Sequence, residues 1–127
     1  GVPKGVVLSH SNLLNNSHCI AEMFQFEKSD NFLNITPTFH NSGQIVTILS
    51  ALWSGSQTTS VRPEIGLLQF WYLVERFSIT WSLGMPTHVN YLSEKSNNKV
   101  NSLKGFFCGG DKISSHKIEQ FETNFKT

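Results

Sequence analysis

Short β-rich runs alternate with longer stretches of helical periodicity along the whole 127-residue chain. This alternation limits the fold more than any other feature. Strands separated by helices cannot close as hairpins; they pair in parallel and bury both sheet faces under the crossover helices. Val6-Val7-Leu8 is the first β-branched run. Ser9 to Asn12 supply capping side chains, and Leu13, Leu14, Ser17, His18, Ala21 and Phe24 then recur at helical spacing. Phe32 to Thr36 reads as a second strand, stopped by Pro37. After Gly43, residues Ile45, Val46, Leu49, Leu52 and Trp53 share one helical face, and Gly55 is placed to end that helix.

Thr58 to Val61 is the third strand. Arg62-Pro63-Glu64 opens one amphipathic helix carrying Leu67, Phe70, Trp71, Val74 and Phe77. Ile79 to Leu83 is the fourth strand, and Gly84-Met85-Pro86-Thr87 starts a short helix with Val89 and Leu92. Glu94 to Ser102 reads as a loop. Phe106-Phe107-Cys108 is the fifth strand, ended by Gly109-Gly110, and Ile118, Phe121, Glu122 and Phe125 mark the last helix. The expected fold class is α/β: five βα repeats, right-handed crossovers and a parallel sheet covered by helices. Ligands of such sheets sit outside the carboxyl ends of the strands. That directs attention to Thr36–Gly43, Leu83–Thr87 and Cys108–Lys112.

Composition narrows the function classes. Apolar residues at 39% and charged residues at 15% exclude wholesale disorder. A net charge of +1 gives no basic face of the kind nucleic-acid binders carry, so no nucleic-acid partner is expected. The longest apolar stretch, Ile45 to Trp53, is interrupted by Thr47 and Ser50 and is too short to span a bilayer. No basic-then-apolar leader is visible at the amino end. Cys19 and Cys108 make no disulfide framework and read as free thiols of a cytoplasmic protein.

Three short segments can carry chemistry. In Gly1-Val2-Pro3-Lys4-Gly5 the glycines let amides approach phosphate oxygens and Lys4 adds a mobile positive charge. The same residues also make an ordinary surface turn, and the G-x-x-x-x-G-K-S/T loop is absent. His40, between Pro37-Thr38-Phe39 and Asn41-Ser42-Gly43, can line a ligand pocket, act as an acid or base, or cap the helix beginning near Ser42. Gly109-Gly110 suits close backbone approach by a flat ligand, or a tight strand-to-helix turn. Asp111, Ser114 and Ser115 are explained as capping residues. His10 and His18 lack a metalloprotease pattern, the cysteines lack zinc-finger spacing, and no G-x-S-x-G elbow occurs.

In their order these segments resemble the adenylate-forming superfamily: acyl-CoA synthetases, 4-coumarate–CoA ligase-like enzymes, luciferases and peptide-synthetase adenylation domains. Gly1 to His10 is similar to the second half of that family's phosphate loop, in which Gly-x-Pro-Lys-Gly-Val precedes a Ser/Thr-His pair. Pro37 to Gln44 resembles its aromatic–His motif, Ile79 to Thr87 its strand-and-proline segment, and Gly109-Gly110 its double-glycine turn. The likeness runs from Gly1 to about Phe125. Asp111-Lys112 stands where Ala-Pro is commoner. The Ser/Thr/Gly half of the loop, the Tyr-Gly-x-Thr-Glu motif with its Mg²⁺-binding Glu, the ribose-binding Asp and the small domain with its catalytic lysine are not in the sequence.

The resemblance therefore implies that residues 1–127 are an internal piece of the large N-terminal AMP-binding domain, cloned or proteolysed, and inactive alone. It implies a parent acyl-CoA synthetase of fatty acid metabolism. That enzyme would join a fatty or aryl acid to ATP, giving acyl-adenylate and pyrophosphate, and pass the acyl group to coenzyme A, with Mg²⁺ assisting. Lys4 would be catalytic and, with Gly1 and Gly5, would hold phosphates. His40, Ser42 and Val46 would flank the acyl group, and Gly109, Gly110 and Asp111 would border the adenine and acyl slot. No residue of the chain is expected to ligate metal. A carrier-protein-loading adenylation domain and a non-enzymatic α/β binding module remain the other readings. An excised piece would also expose apolar faces, with Phe24, Trp53 and Trp71 as candidates.

Overall fold

The computed structural model describes residue 2, residues 4–95 and residues 100–125. In chain order the elements are α1 (His10–Met23), β1 (Asn31–Asn34), a π-helical stretch Gly43–Leu49 continuing as α2 (Ser50–Trp53), β2 (Gln57–Ser60), α3 (Pro63–Leu68), α4 (Phe70–Phe77), β3 (Trp81–Gly84), α5 (Pro86–Glu94), β4 (Gly105–Cys108) and α6 (Ser115–Phe125). The strands form one sheet in the order β2-β1-β3-β4. Every pairing is parallel, with Phe32 opposite both Thr58 and Trp81, and Leu83 opposite Phe107. The parallel α/β expectation holds: the central strands β1 and β3 are short and largely buried, and helices cover both faces of the sheet.

Alternation along the strands divides the core between two layers. On one face Leu33 and Ile35 pack with Phe70, Leu73 and Val74 of α4, Val89 and Leu92 of α5 and Phe121 of α6. On the other face Phe32 packs with Ala21 of α1, Phe26 and Ala51 of α2, joined by Trp81 and Phe107. The Phe107 and Trp81 rings stack 5.4 Å apart, while Phe26 meets Phe32 edge-on at 4.7 Å. The neighbours Phe106 and Phe107 therefore serve opposite layers.

Four differences from the sequence reading have physical causes. Val6-Val7-Leu8 is not a strand: Val6 is 78% and Val7 98% exposed, and the sheet has four strands among the described residues. β-branched side chains favour a strand only where a neighbour accepts the pairing. The Ile45/Val46/Leu49/Leu52/Trp53 face is not the buried one. The structure instead buries Gly43, Thr47, Ser50 and Ala51, and leaves Leu52 and Trp53 about half exposed. The π-helical winding changes the angular step that the 3.6-residue period assumes, and small side chains let the backbone lie close to the sheet. The single helix expected from Arg62 to Phe77 breaks at Gln69 into α3 and α4, and Phe77 is exposed. Trp71, expected on an exposed patch, is buried in the α4 core. Part of the Glu94–Ser102 loop, residues 96–99, lies outside the described residues.

Candidate functional site at the carboxyl ends of the strands

The strand order places a switch point between β1 and β3. The chain leaving β1 enters the helical layer over Phe32, and the chain leaving β3 enters α5 in the opposite layer. Connections that part in this way open a crevice at the carboxyl edge of the sheet. A cleft of about 520 Å³ lies there. Ile35, Thr36, Pro37, His40 and Ser42 line it from the end of β1, Leu83, Gly84, Met85 and His88 from β3 and α5, and Gly109 and Gly110 from the end of β4. Pro63 closes one side. Its walls are mainly apolar, with a few polar groups converging, as in small-molecule sites.

The β1 wall is held from beneath by a buried polar network. Asn34 is fully buried and its Oδ1 accepts both the Thr36 hydroxyl (2.7 Å) and the Thr36 amide (3.1 Å). Its Nδ2 donates to Ser60 Oγ at 3.1 Å, tying β1 to β2. Satisfying these buried groups fixes where the chain turns at Pro37. Beyond the turn, the Ser42 hydroxyl lies 2.6 Å from His40 Nδ1, and the Ser42 amide donates to the same atom at 3.4 Å. The capping reading of His40 and the pocket reading are therefore compatible. Nδ1 holds the start of the helix, and the exposed ring stands on the cleft wall.

On the opposite wall Pro86 is the first residue of α5 and His88 the third. His88 Nδ1 accepts the Met85 amide at 3.3 Å, which satisfies one of the free N–H groups at the helix start. Burial of this half-covered ring pushes its pKa down, favouring the neutral form. The ring sits against Gly84, where an added Cβ would come within 2.8 Å of His88 Nδ1 and 2.7 Å of Phe106 Cζ. Glycine is required there for close approach. On the third wall Gly110 has φ +94°, a backbone conformation that suits glycine.

The expected site residues are thus partly gathered. His40, Ser42, Gly109 and Gly110 share the cleft. Val46 is half-buried on the π-helical stretch, and Asp111 is exposed with its carboxylate accepting the Lys112 amide at 2.7 Å; neither is among the described walls. Lys4 and Gly5 lie exposed ahead of α1, also outside those walls, and a Cβ at Gly5 would meet nothing within 4 Å. Gly1 lies outside the described residues. His88 lies just beyond the Leu83–Thr87 segment marked from the sequence, and Thr36 was marked only as the start of the Thr36–Gly43 segment. The available signal for His88 was its place two residues after a helix-opening proline, where a side chain can reach back to the cap amide.

The fold and cleft define a parallel α/β sheet with its ligand crevice at the topological switch point. The chain belongs to the AMP-binding enzyme family, whose sequence profile matches residues 1–127. It is 37% identical over 87 residues to an acyl-CoA synthetase of Alternaria alternata, an alignment covering 68% of this chain and 15% of that protein. It is 26% identical over 132 residues to a probable 4-coumarate–CoA ligase of Dictyostelium discoideum, covering 99% of this chain and 24% of that protein. The chain therefore spans a quarter or less of the length of these curated relatives. Among solved structures, a fatty acyl-adenylate ligase from L. pneumophila, in complex with acyl adenylate and pyrophosphate, superposes with a TM-score of 0.85 at 25% identity, over 98% of this chain and 24% of that one.

Proposed function

We propose that these residues form part of an ATP-dependent acid–thiol ligase, in which a fatty or aryl acid is activated at the α-phosphorus of ATP and then passed to coenzyme A. The observation that carries the reading is the cleft. The family's aromatic–His and double-glycine segments, far apart in sequence, meet as two of its walls. The curated relatives named as CoA ligases support the thiol acceptor.

His40, Ser42, Gly109 and Gly110 would flank the acyl–adenylate junction, with Val46 and Asp111 at its margins. His40 acts here as a wall. A carboxylate nucleophile is already ionised near neutral pH, so no base is needed to activate it. Lys4, with Gly1 and Gly5, would hold the phosphates that leave as pyrophosphate. Its exposed ammonium has no ion-pair partner among the described residues, and the open space around Gly5 admits a phosphate group. The residues here do not fit Mg²⁺. Among those described, no group of three or more His, Cys, Asp or Glu could hold a metal ion, and no carboxylate lines the cleft.

Lys4 would meet charge that grows as pyrophosphate departs, so Lys4→Ala in the full-length enzyme should lower the rate of ATP–pyrophosphate exchange about 30- to 1,000-fold with little change in KM for the acid. His40→Ala should instead raise KM and alter the preference among acids. A loss of kcat in His40→Ala at unchanged KM would contradict the wall assignment.

A further inference from the structure

Among the described residues, His88 is a half-buried donor without an acceptor. The Met85 amide occupies Nδ1, so in the neutral ring the proton sits on Nε2. No hydrogen bond to Nε2 is formed among the described residues. The ring lines the cleft beside Leu83 and Met85, with Ile35 and Pro37 on the facing wall. Only one other titratable group, His40, lines that cleft among the described residues, and it is exposed. A donor set in an apolar wall loses hydration when a ligand fills the space, and the loss is recovered only if the ligand supplies an acceptor.

We propose that His88 is a specificity-determining residue. Its Nε2–H donates to an oxygen on the chain of the bound acid, so that the enzyme selects hydroxy- or keto-substituted acids over unsubstituted acids of the same length. The inference rests on the acid-activating reading given above. It differs from the part assigned to His40, whose exposed ring keeps its water and gains less from a ligand acceptor. The fixed Nδ1 bond matters as much as the free nitrogen: it holds the tautomer and the ring plane before the acid arrives, so little orientation is lost on binding.

The test uses the full-length enzyme, wild type and the variants His88→Leu and His88→Gln. ATP–pyrophosphate exchange is measured with hexanoate and with hexanoates carrying a hydroxyl or keto group at each carbon beyond the second. Wild type should favour at least one oxygenated acid over hexanoate by about tenfold in kcat/KM, chiefly through KM. His88→Leu should bring that ratio near one, and His88→Gln, which keeps a donor, should retain part of the preference. In histidine ¹⁵N spectra, the His88 signals should show the Nε2–H tautomer, and Nε2 should shift on adding the favoured acid. The proposal is overturned if wild type prefers no oxygenated acid, or if both variants lose activity equally toward every acid. Exchange with hexanoate alongside an unchanged ratio in His88→Leu removes the His88 assignment alone. Absence of exchange with any acid removes the acid-activating reading and this inference with it.

Discussion

Asp30 is 1% exposed at the amino end of β1, yet it carries charge. Burial works to raise its pKa, but the Glu27 amide donating to Oδ2 at 2.9 Å, the Lys104 ammonium 2.8 Å from Oδ1, and Thr80 outweigh it and leave the carboxyl below its usual range. Hydrogen bonding to Asp30 and Glu27 raises Lys104 in turn. A lowered carboxyl contributes stability that is present above about pH 4 and lost as pH falls through the folded value. The raised lysine contributes stability present below about pH 10 and lost on the alkaline side. The lowered His88 adds stability above about pH 6.5 that declines as pH falls, because the unfolded chain takes up its proton first. Lys104→Met should cost about 1–3 kcal/mol, discounted because the ammonium is half exposed, and flatten the loss near pH 4. His88→Gln should remove the decline below about pH 6.5 and leave the one near pH 4 in place. Urea titrations across pH check both. Gly84→Ala should cost about 1–3 kcal/mol, since Phe106 and His88 must both give way.

At the scale of elements, the signals that succeeded were those with a local cause. Pro37 stops the segment after β1, Pro63 and Pro86 open α3 and α5, and Ser9 caps α1 through a reciprocal bond pair with Asn12. Gly55 follows α2 with a positive φ. The failures were those in which tertiary packing decides. Apolar spacing from Ile45 to Trp53 gave the wrong buried face because the π-helical winding and the small residues Gly43, Thr47 and Ser50 set the contact. Their hydroxyls bond within the helix: Thr47 Oγ1 donates to the Gly43 carbonyl at 2.8 Å and Ser50 Oγ to the Ile45 carbonyl at 2.7 Å. The Ser50 bond spans five residues and so belongs to the π form. Ser50→Ala should therefore destabilise the protein by about 1 kcal/mol, more than the same change at exposed Ser11, as read by thermal unfolding. His40 and the double glycine were legible because motif order carries them. His88 was not, since only the folded sheet brings the start of α5 across from Pro37.

On the scale of the molecule, the switch point explains why the candidate site lies where it does, and the exposed apolar side chains describe the rest of the surface. Val6, Val7, Leu14, Leu52, Trp53 and Phe24 are each 40% exposed or more. The isolated 127-residue chain is expected to associate with rising concentration in sedimentation velocity, and a clean monomer throughout would contradict that expectation. On the proposed function, the β1, β3 and β4 ends together receive the activated acid. Crystallography of the full-length enzyme with a non-hydrolysable acyl-sulfamoyl adenosine tests it most directly. The acyl–sulfamoyl junction should lie between His40 and the Gly109–Gly110 turn, with the acyl chain passing His88. An analogue seated elsewhere, with this cleft filled only by solvent, would contradict it.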